Sequence, residues 1–167
     1  MLGRVAITPA LIASTDAAAL IARLDMELED RYPSLDNSHS ELTSEEVEAG
    51  RGVFLIAKIG SDPVGCGAVC RVDQSIGEIR RMYVLPSARG ARVGRRLLAE
   101  LERHARENGL ERLILVTGIR QPEAICLYER SGYTRIPCPP DYTDSPLRVF
   151  MEKRPECLQT RPVLDTA

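Results

Sequence analysis

Apolar positions along the chain alternate at strand spacing in some stretches and recur every three to four residues in others, and short turn signals separate them. Residues 4–8 read as a first strand closed by Pro9, and a helix follows over 16–30, where Ala19, Leu20, Leu24 and Leu28 share one face and Thr15 and Asp16 are candidate caps. Residues 32–41 are polar and loop-like. Thr43, Ser44, Glu45 and Glu46 predict a short capped helix ending near Gly50. A β-rich run, 53–59, turns through 60–63 into 64–72 and through 73–75 into 76–85, which makes three antiparallel strands in series.

Pro86 ends that meander. The strongest helical pattern follows, Val93 to Asn108, with Gly109 at the helix C-terminal cap. Arg112–Thr117 reads as a strand, Pro122–Arg130 as a helix with proline in its first turn, 132–136 as a strand, 137–146 as a proline-rich loop and 147–153 as a last strand. The alternation after residue 76 has the form of a parallel crossover. The sum is one α/β domain over 1–154, a mixed, mostly antiparallel central sheet of six to seven strands with helices on both faces. The tail 155–167 is expected to be poorly ordered.

The 167 residues suit one core without staples. Charges nearly cancel, to −2, which argues against nucleic acid as a partner. No apolar run reaches the roughly 20 residues of a membrane span and no secretion signal is seen, so a cytoplasmic protein with no membrane partner is expected. The five cysteines form no zinc spacing with His39 or His104, so no metal is expected; Cys66, Cys70 and Cys126 read as reduced, buried apolar residues, and His104 as surface. Basic residues cluster from Arg80 to Arg106 and acidic ones from Asp25 to Glu48. That asymmetry points to a local anion site.

The candidate chemistry sits where the strand ending in Met82-Tyr83-Val84 turns through small residues into the helix at Val93. Such a turn leaves backbone N–H groups at the positive end of a helix dipole, and Arg89, Arg92, Arg95 and Arg96 add cations, a setting for a pyrophosphate. There is no GxxxxGK followed by Ser or Thr, and Gly90 and Gly94 do not fit GxGxxG, which argues against a P-loop or Rossmann nucleotide site.

Residues Arg89 to Gly94 resemble the R/Q-x-x-G-x-G/A loop of the GNAT superfamily of N-acetyltransferases, except that Arg92 stands where the first glycine belongs. Gln121 to Tyr133, with Ala124, Leu127, Tyr128 and Gly132, resembles the family's second mark, with Gln121 in place of asparagine. The resemblance implies the acyl-CoA N-acyltransferase fold and acetyl-CoA as co-substrate. It would be bound by Met82, Tyr83, Val84, Arg89, Gly90, Ala91, Arg92, Val93, Gly94, Arg95, Gln121 and Tyr128. It further implies direct attack by a primary amine of a small molecule or peptide, Tyr128 as general acid for the thiolate, Glu78 as base, and an acceptor pocket that includes His39, Glu78 and Tyr142. A binding module that keeps the loop but has lost catalysis is the competing reading, and the charge asymmetry between the halves marks a candidate homodimer face.

Overall fold

A computed structural model describes residues 3–33 and 41–154. His39 and the tail lie outside the described residues. Seven strands, β1 (Val5–Pro9), β2 (Gly52–Ile59), β3 (Asp62–Arg71), β4 (Ile76–Val84), β5 (Arg112–Gly118), β6 (Thr134–Ile136) and β7 (Arg148–Lys153), form one sheet in the order β1-β2-β3-β4-β5-β7-β6. Three α-helices, α1 (Thr15–Arg31), α2 (Val93–Glu107) and α3 (Pro122–Arg130), cover it.

The alternation of the strands divides the core between two faces. Val53, Leu55, Val69, Ile79, Leu113 and Leu115 pack under Val93, Leu97 and Leu101 of α2 and Ile125 and Tyr128 of α3. Phe54, Ile56, Cys66, Ala68 and Tyr83 take Ala17, Leu20 and Leu24 of α1 on the other face. Burial of such side chains contributes about 1.5–3 kcal/mol each, which is why the register of the central strands is fixed.

Several expectations need correction. Ser14 caps α1, its side chain accepting from the Ala17 N–H, so the cap lies one residue before Thr15. The predicted helix at 43–50 is only a three-residue 3-10 turn, Glu45–Val47, although the capping pair does form: Glu46 accepts from the Thr43 N–H at 2.8 Å and Thr43 Oγ1 from the Glu46 N–H at 3.4 Å. The crossover is parallel only between β4 and β5; β7 runs antiparallel between β5 and β6. Cys66 and Cys70 are buried, with thiols that burial pushes up to about 12, but Cys126 is only half-buried. His104 is half-buried too, and burial lowers its pKa.

One irregularity positions the site. Cys66 pairs with Tyr83 and Ala68 with Arg80, so Gly67 faces two residues of β4, and Arg81 takes up the extra one at φ 55°. The bulge moves Met82 and Val84 to the α2 face and Tyr83 to the α1 face. A Cβ at Gly67 would lie 2.5 Å from Met82 Sδ, so glycine is what lets Met82 sit across the strand. Pairing of β4 with β5 stops at Ile79 and Leu115, whereas β5 stays paired with β7 as far as Gly118. Beyond Ile79 the two halves of the sheet part.

Candidate active site

The loop after β4 descends through a 3-10 turn, Pro86–Ala88, and enters α2 through Arg89, Gly90, Ala91 and Arg92. Gly90 (φ 85°) and Arg92 (φ 62°) are both left-handed, a conformation that costs a side-chain-bearing residue about 1–2 kcal/mol. The sequence departure at Arg92 therefore falls where glycine would be cheap, yet the chain makes the same turn. The first bond of α2 runs from the Arg96 N–H to the Arg92 carbonyl, and no side chain caps the amides of Val93, Gly94 and Arg95 before it. These open N–H groups sit at the positive end of a 15-residue helix.

Gly94 faces α3: a Cβ there would meet Leu127 Cδ2 at 3.3 Å and Val84 Cγ2 at 3.6 Å. The α2 N-terminus, the end of β4 and the middle of α3 thus converge beside the parted strands. Open amides and a free strand edge fit a diphosphate followed by a thin, extended arm.

Tyr128, next to Leu127, is buried and packs edge to face on Tyr133 at 5.8 Å; desolvation raises its phenol well above the ordinary value. It keeps its proton at any working pH. Gln121 precedes α3, and its Oε1 accepts from the Tyr32 hydroxyl at 3.4 Å.

On the opposite face, the sequence candidates Glu78 and Tyr142 come together: the Tyr142 hydroxyl donates to Glu78 Oε2 at 3.0 Å. Tyr142 is held edge to face on Phe150 at 5.8 Å. Burial lifts Glu78 above the usual carboxylate range; the Tyr142 hydrogen bond and the Arg80 charge oppose that, and the Glu46 charge adds to it. Arg80 bonds Glu46 at 3.0 Å. Tyr142 is raised too, by burial and then by Glu78, so it acts as a donor to the carboxylate.

Three residues with a place in this arrangement carry no motif. Both carboxylate oxygens of Glu27 of α1 accept from Arg89 Nη2 at 2.9 Å, while Arg89 Nε donates to the Val84 carbonyl at 3.0 Å. Tyr32, read as loop, is buried; its hydroxyl accepts from the Arg120 N–H at 3.0 Å, and a Cβ at Gly118 would overlap it. Arg81, the bulge residue, is tied to Asp25 at 2.8 Å. Only the fold brings Glu27 near residue 89.

Comparison with known proteins agrees with this geometry. The family model described as "Acetyltransferase (GNAT) family" matches residues 20–133. An "IAA acetyltransferase" of Azospirillum brasilense is 42% identical over 136 residues, 80% of this chain and 87% of its own. A solved structure from Klebsiella pneumoniae, described as an acyl-CoA N-acyltransferase, superposes with a TM-score of 0.76 at 36% identity, over 90% of this chain and 97% of that one. The PaiA N-acetyltransferase of Thermoplasma acidophilum, solved in complex with coenzyme A, shares the fold at a TM-score of 0.67 and 17% identity, over 90% of this chain and 99% of that one. The loop with its open amides, the parted β4 and β5 and these matches together place the chain in the GNAT acetyltransferase family, as an acetyl-CoA-dependent N-acetyltransferase.

Proposed function

We propose that the chain acetylates a primary amine of a small molecule or peptide by direct attack, with Glu78 taking the amine proton and Tyr128 returning one to the departing thiolate. The observation that carries this reading is the division of the two groups between the faces of the sheet. Glu78 pairs with Ile114 just short of the opening beyond Ile79 and is bonded to Tyr142, whereas Tyr128 packs in the core under α2 and α3. An amine entering beside Glu78 and a thiolate leaving beside Tyr128 would lie in line through the gap.

Acetyl-CoA supplies a thioester-activated acetyl group. The open amides from Gly90 to Arg95 would bind the diphosphate, and the unpaired edge of β4 around Met82, Tyr83 and Val84 would hold the pantetheine arm and provide an N–H toward the carbonyl oxygen. Glu78, raised by burial, is a stronger base than an ordinary carboxylate, and Tyr142 fixes its orientation. Tyr128 stays protonated, so its hydroxyl can donate to the sulfur as negative charge develops there.

The test is release of free thiol from acetyl-CoA across a panel of primary amines, with mass spectrometry of the product. Tyr128→Phe is expected to lower kcat by about 10²-fold or more while leaving the KM for acetyl-CoA nearly unchanged, and Glu78→Gln to lower kcat/KM for the amine by a similar factor. Wild-type rates in both variants would remove those roles. A protein that binds acetyl-CoA and turns over no amine would favour the non-catalytic module.

A further inference from the structure

The bulge in β4 rests on Arg81, whose backbone is left-handed at φ 55°, a region that residues with a Cβ avoid. Two contacts hold it there, and neither belongs to the ladder between β3 and β4. The Cys66 thiol of β3 donates to the Arg81 carbonyl at 3.3 Å. The Arg81 guanidinium bonds Asp25 Oδ1 of α1 at 2.8 Å, with the arginine side chain only 10% exposed.

Cys66 is fully buried, in the cluster of Phe54, Ile56, Ala68 and Tyr83 on the α1 face of the sheet. The carbonyl it bonds is therefore turned out of the ladder toward that face. Burial outweighs the nearby Arg81 charge and pushes the thiol up to about 12, so Cys66 keeps the proton it donates. The strand register steps from Ala68 with Arg80 to Cys66 with Tyr83 and passes over Arg81 and Met82. The thiol thus meets a backbone acceptor that the bulge has taken out of strand pairing.

Anchoring this carbonyl also orients the next amide. The peptide between Arg81 and Met82 is trans and planar, so its C=O and its N–H point in opposite directions. With the Arg81 carbonyl held toward α1, the Met82 N–H is aimed away from α1, toward the face on which Met82 and Tyr128 pack. Gly67 guards the same point, since a Cβ there would also lie 3.0 Å from Leu101 Cδ1.

We propose that Cys66 and Asp25 are positioning residues for acetyl transfer: by holding the two ends of Arg81 they fix the bulge and aim the Met82 N–H at the thioester carbonyl, where it stabilises the oxyanion formed by amine attack. This rests on the reading that the free edge of β4 supplies an N–H to that carbonyl. Both side chains act through the backbone, so their effect falls on the chemical step and leaves binding of the co-substrate nearly unchanged.

The test joins kinetics to the infrared carbonyl stretch of acetyl-CoA, labelled with carbon-13 at the acetyl carbonyl and bound in the absence of an amine. In the wild type the stretch is expected below its value in free acetyl-CoA, because a hydrogen bond weakens the C=O bond. Cys66→Ala is expected to return it toward the free value and to lower kcat by about tenfold, with the Kd for coenzyme A by calorimetry within about twofold of the wild type. Cys66→Ser keeps a donor and is expected to retain most of the shift and of kcat. Asp25→Asn, at a side chain 43% exposed, leaves the core intact and is expected to give a smaller loss of the same kind. A full shift and wild-type kcat in both Cys66→Ala and Asp25→Asn would overturn the positioning role while leaving the edge N–H in place. An unshifted stretch in the wild type would overturn the edge N–H and the positioning role together. Should Cys66→Ala not fold, the S–H stretch decides: the difference between wild type and Cys66→Ser is expected to show a thiol band below that of a free thiol, and a band at the free value would overturn the contact.

Discussion

At the scale of single residues, the site is governed by groups whose surroundings move them from their ordinary behaviour. Glu78 is the clearest case, because its raised carboxyl is restrained by the hydrogen bond from Tyr142, which favours the charged form. If Glu78 is the base, kcat/KM rises as it loses its proton, so the acidic limb of the pH profile lies above the usual carboxylate range. Tyr142→Phe removes a contact that lowers this pKa, and the limb is expected to move to still higher pH; a limb unmoved by Tyr142→Phe would detach it from Glu78. The sign for stability is opposite. A carboxyl raised in the folded state favours folding below its unfolded pKa and loses that contribution as pH rises through the folded value. Glu78→Gln should therefore remove a destabilising term at neutral pH even as it slows the reaction.

At the scale of elements, local patterns in the sequence fixed what each segment is, and non-local contacts decided where some of them go. The meander from β2 to β4, helix α2 with its left-handed Gly109 and the proline start of α3 could all be read, since each rests on residues close in sequence. So could the amide loop and Tyr128, whose motifs are contiguous. The insertion of β7 between β5 and β6 could not, because it depends on pairs such as Leu115 with Met151 and Arg135 with Met151 that no spacing announces. The same holds for Glu27 against Arg89 and for Tyr32 against Gly118.

A buried charge pair helps fix β7 in that place. Lys153 Nζ bonds Glu102 Oε2 of α2 at 3.0 Å, with side chains only 10% and 7% exposed, and stands 5.6 Å from the centre of the Tyr133 ring. Enclosure this complete makes the loss of one partner far worse than the loss of both. Lys153→Met is expected to destabilise by about 3–5 kcal/mol, and adding Glu102→Leu to restore most of that. Denaturant melts of the single and double variants measure the difference directly. A single variant as stable as the wild type would mean that water reaches the carboxylate and that packing alone places β7.

At the scale of the whole molecule, the opening between β4 and β5 divides a seven-strand sheet into two parts that share only the ladder from Ile76 to Ile79 with Arg112 to Leu115. The division is bridged from outside. Glu27 and Arg31 of α1 reach Arg89 on one side and Glu123 of α3 on the other, and Leu127 of α3 leans on Gly94. A co-substrate seated on the amide loop with its arm in the opening would touch both parts at once, and its binding energy would add to the stability of the folded chain alone. At a concentration of one hundred times Kd that contribution is about 2.7 kcal/mol, a rise of about 5–11 °C in Tm for a domain of this size. Gly94→Glu would put a carboxylate where the proposed diphosphate lies and a side chain against Leu127, so its own Tm falls; the reading that matters is the shift on adding acetyl-CoA, which should vanish. A Gly94→Glu protein that still gained the full shift would locate the binding energy away from the α2 N-terminus. A shift present in the wild type and lost in the variant would tie the bridging of the two parts to the amides that begin α2.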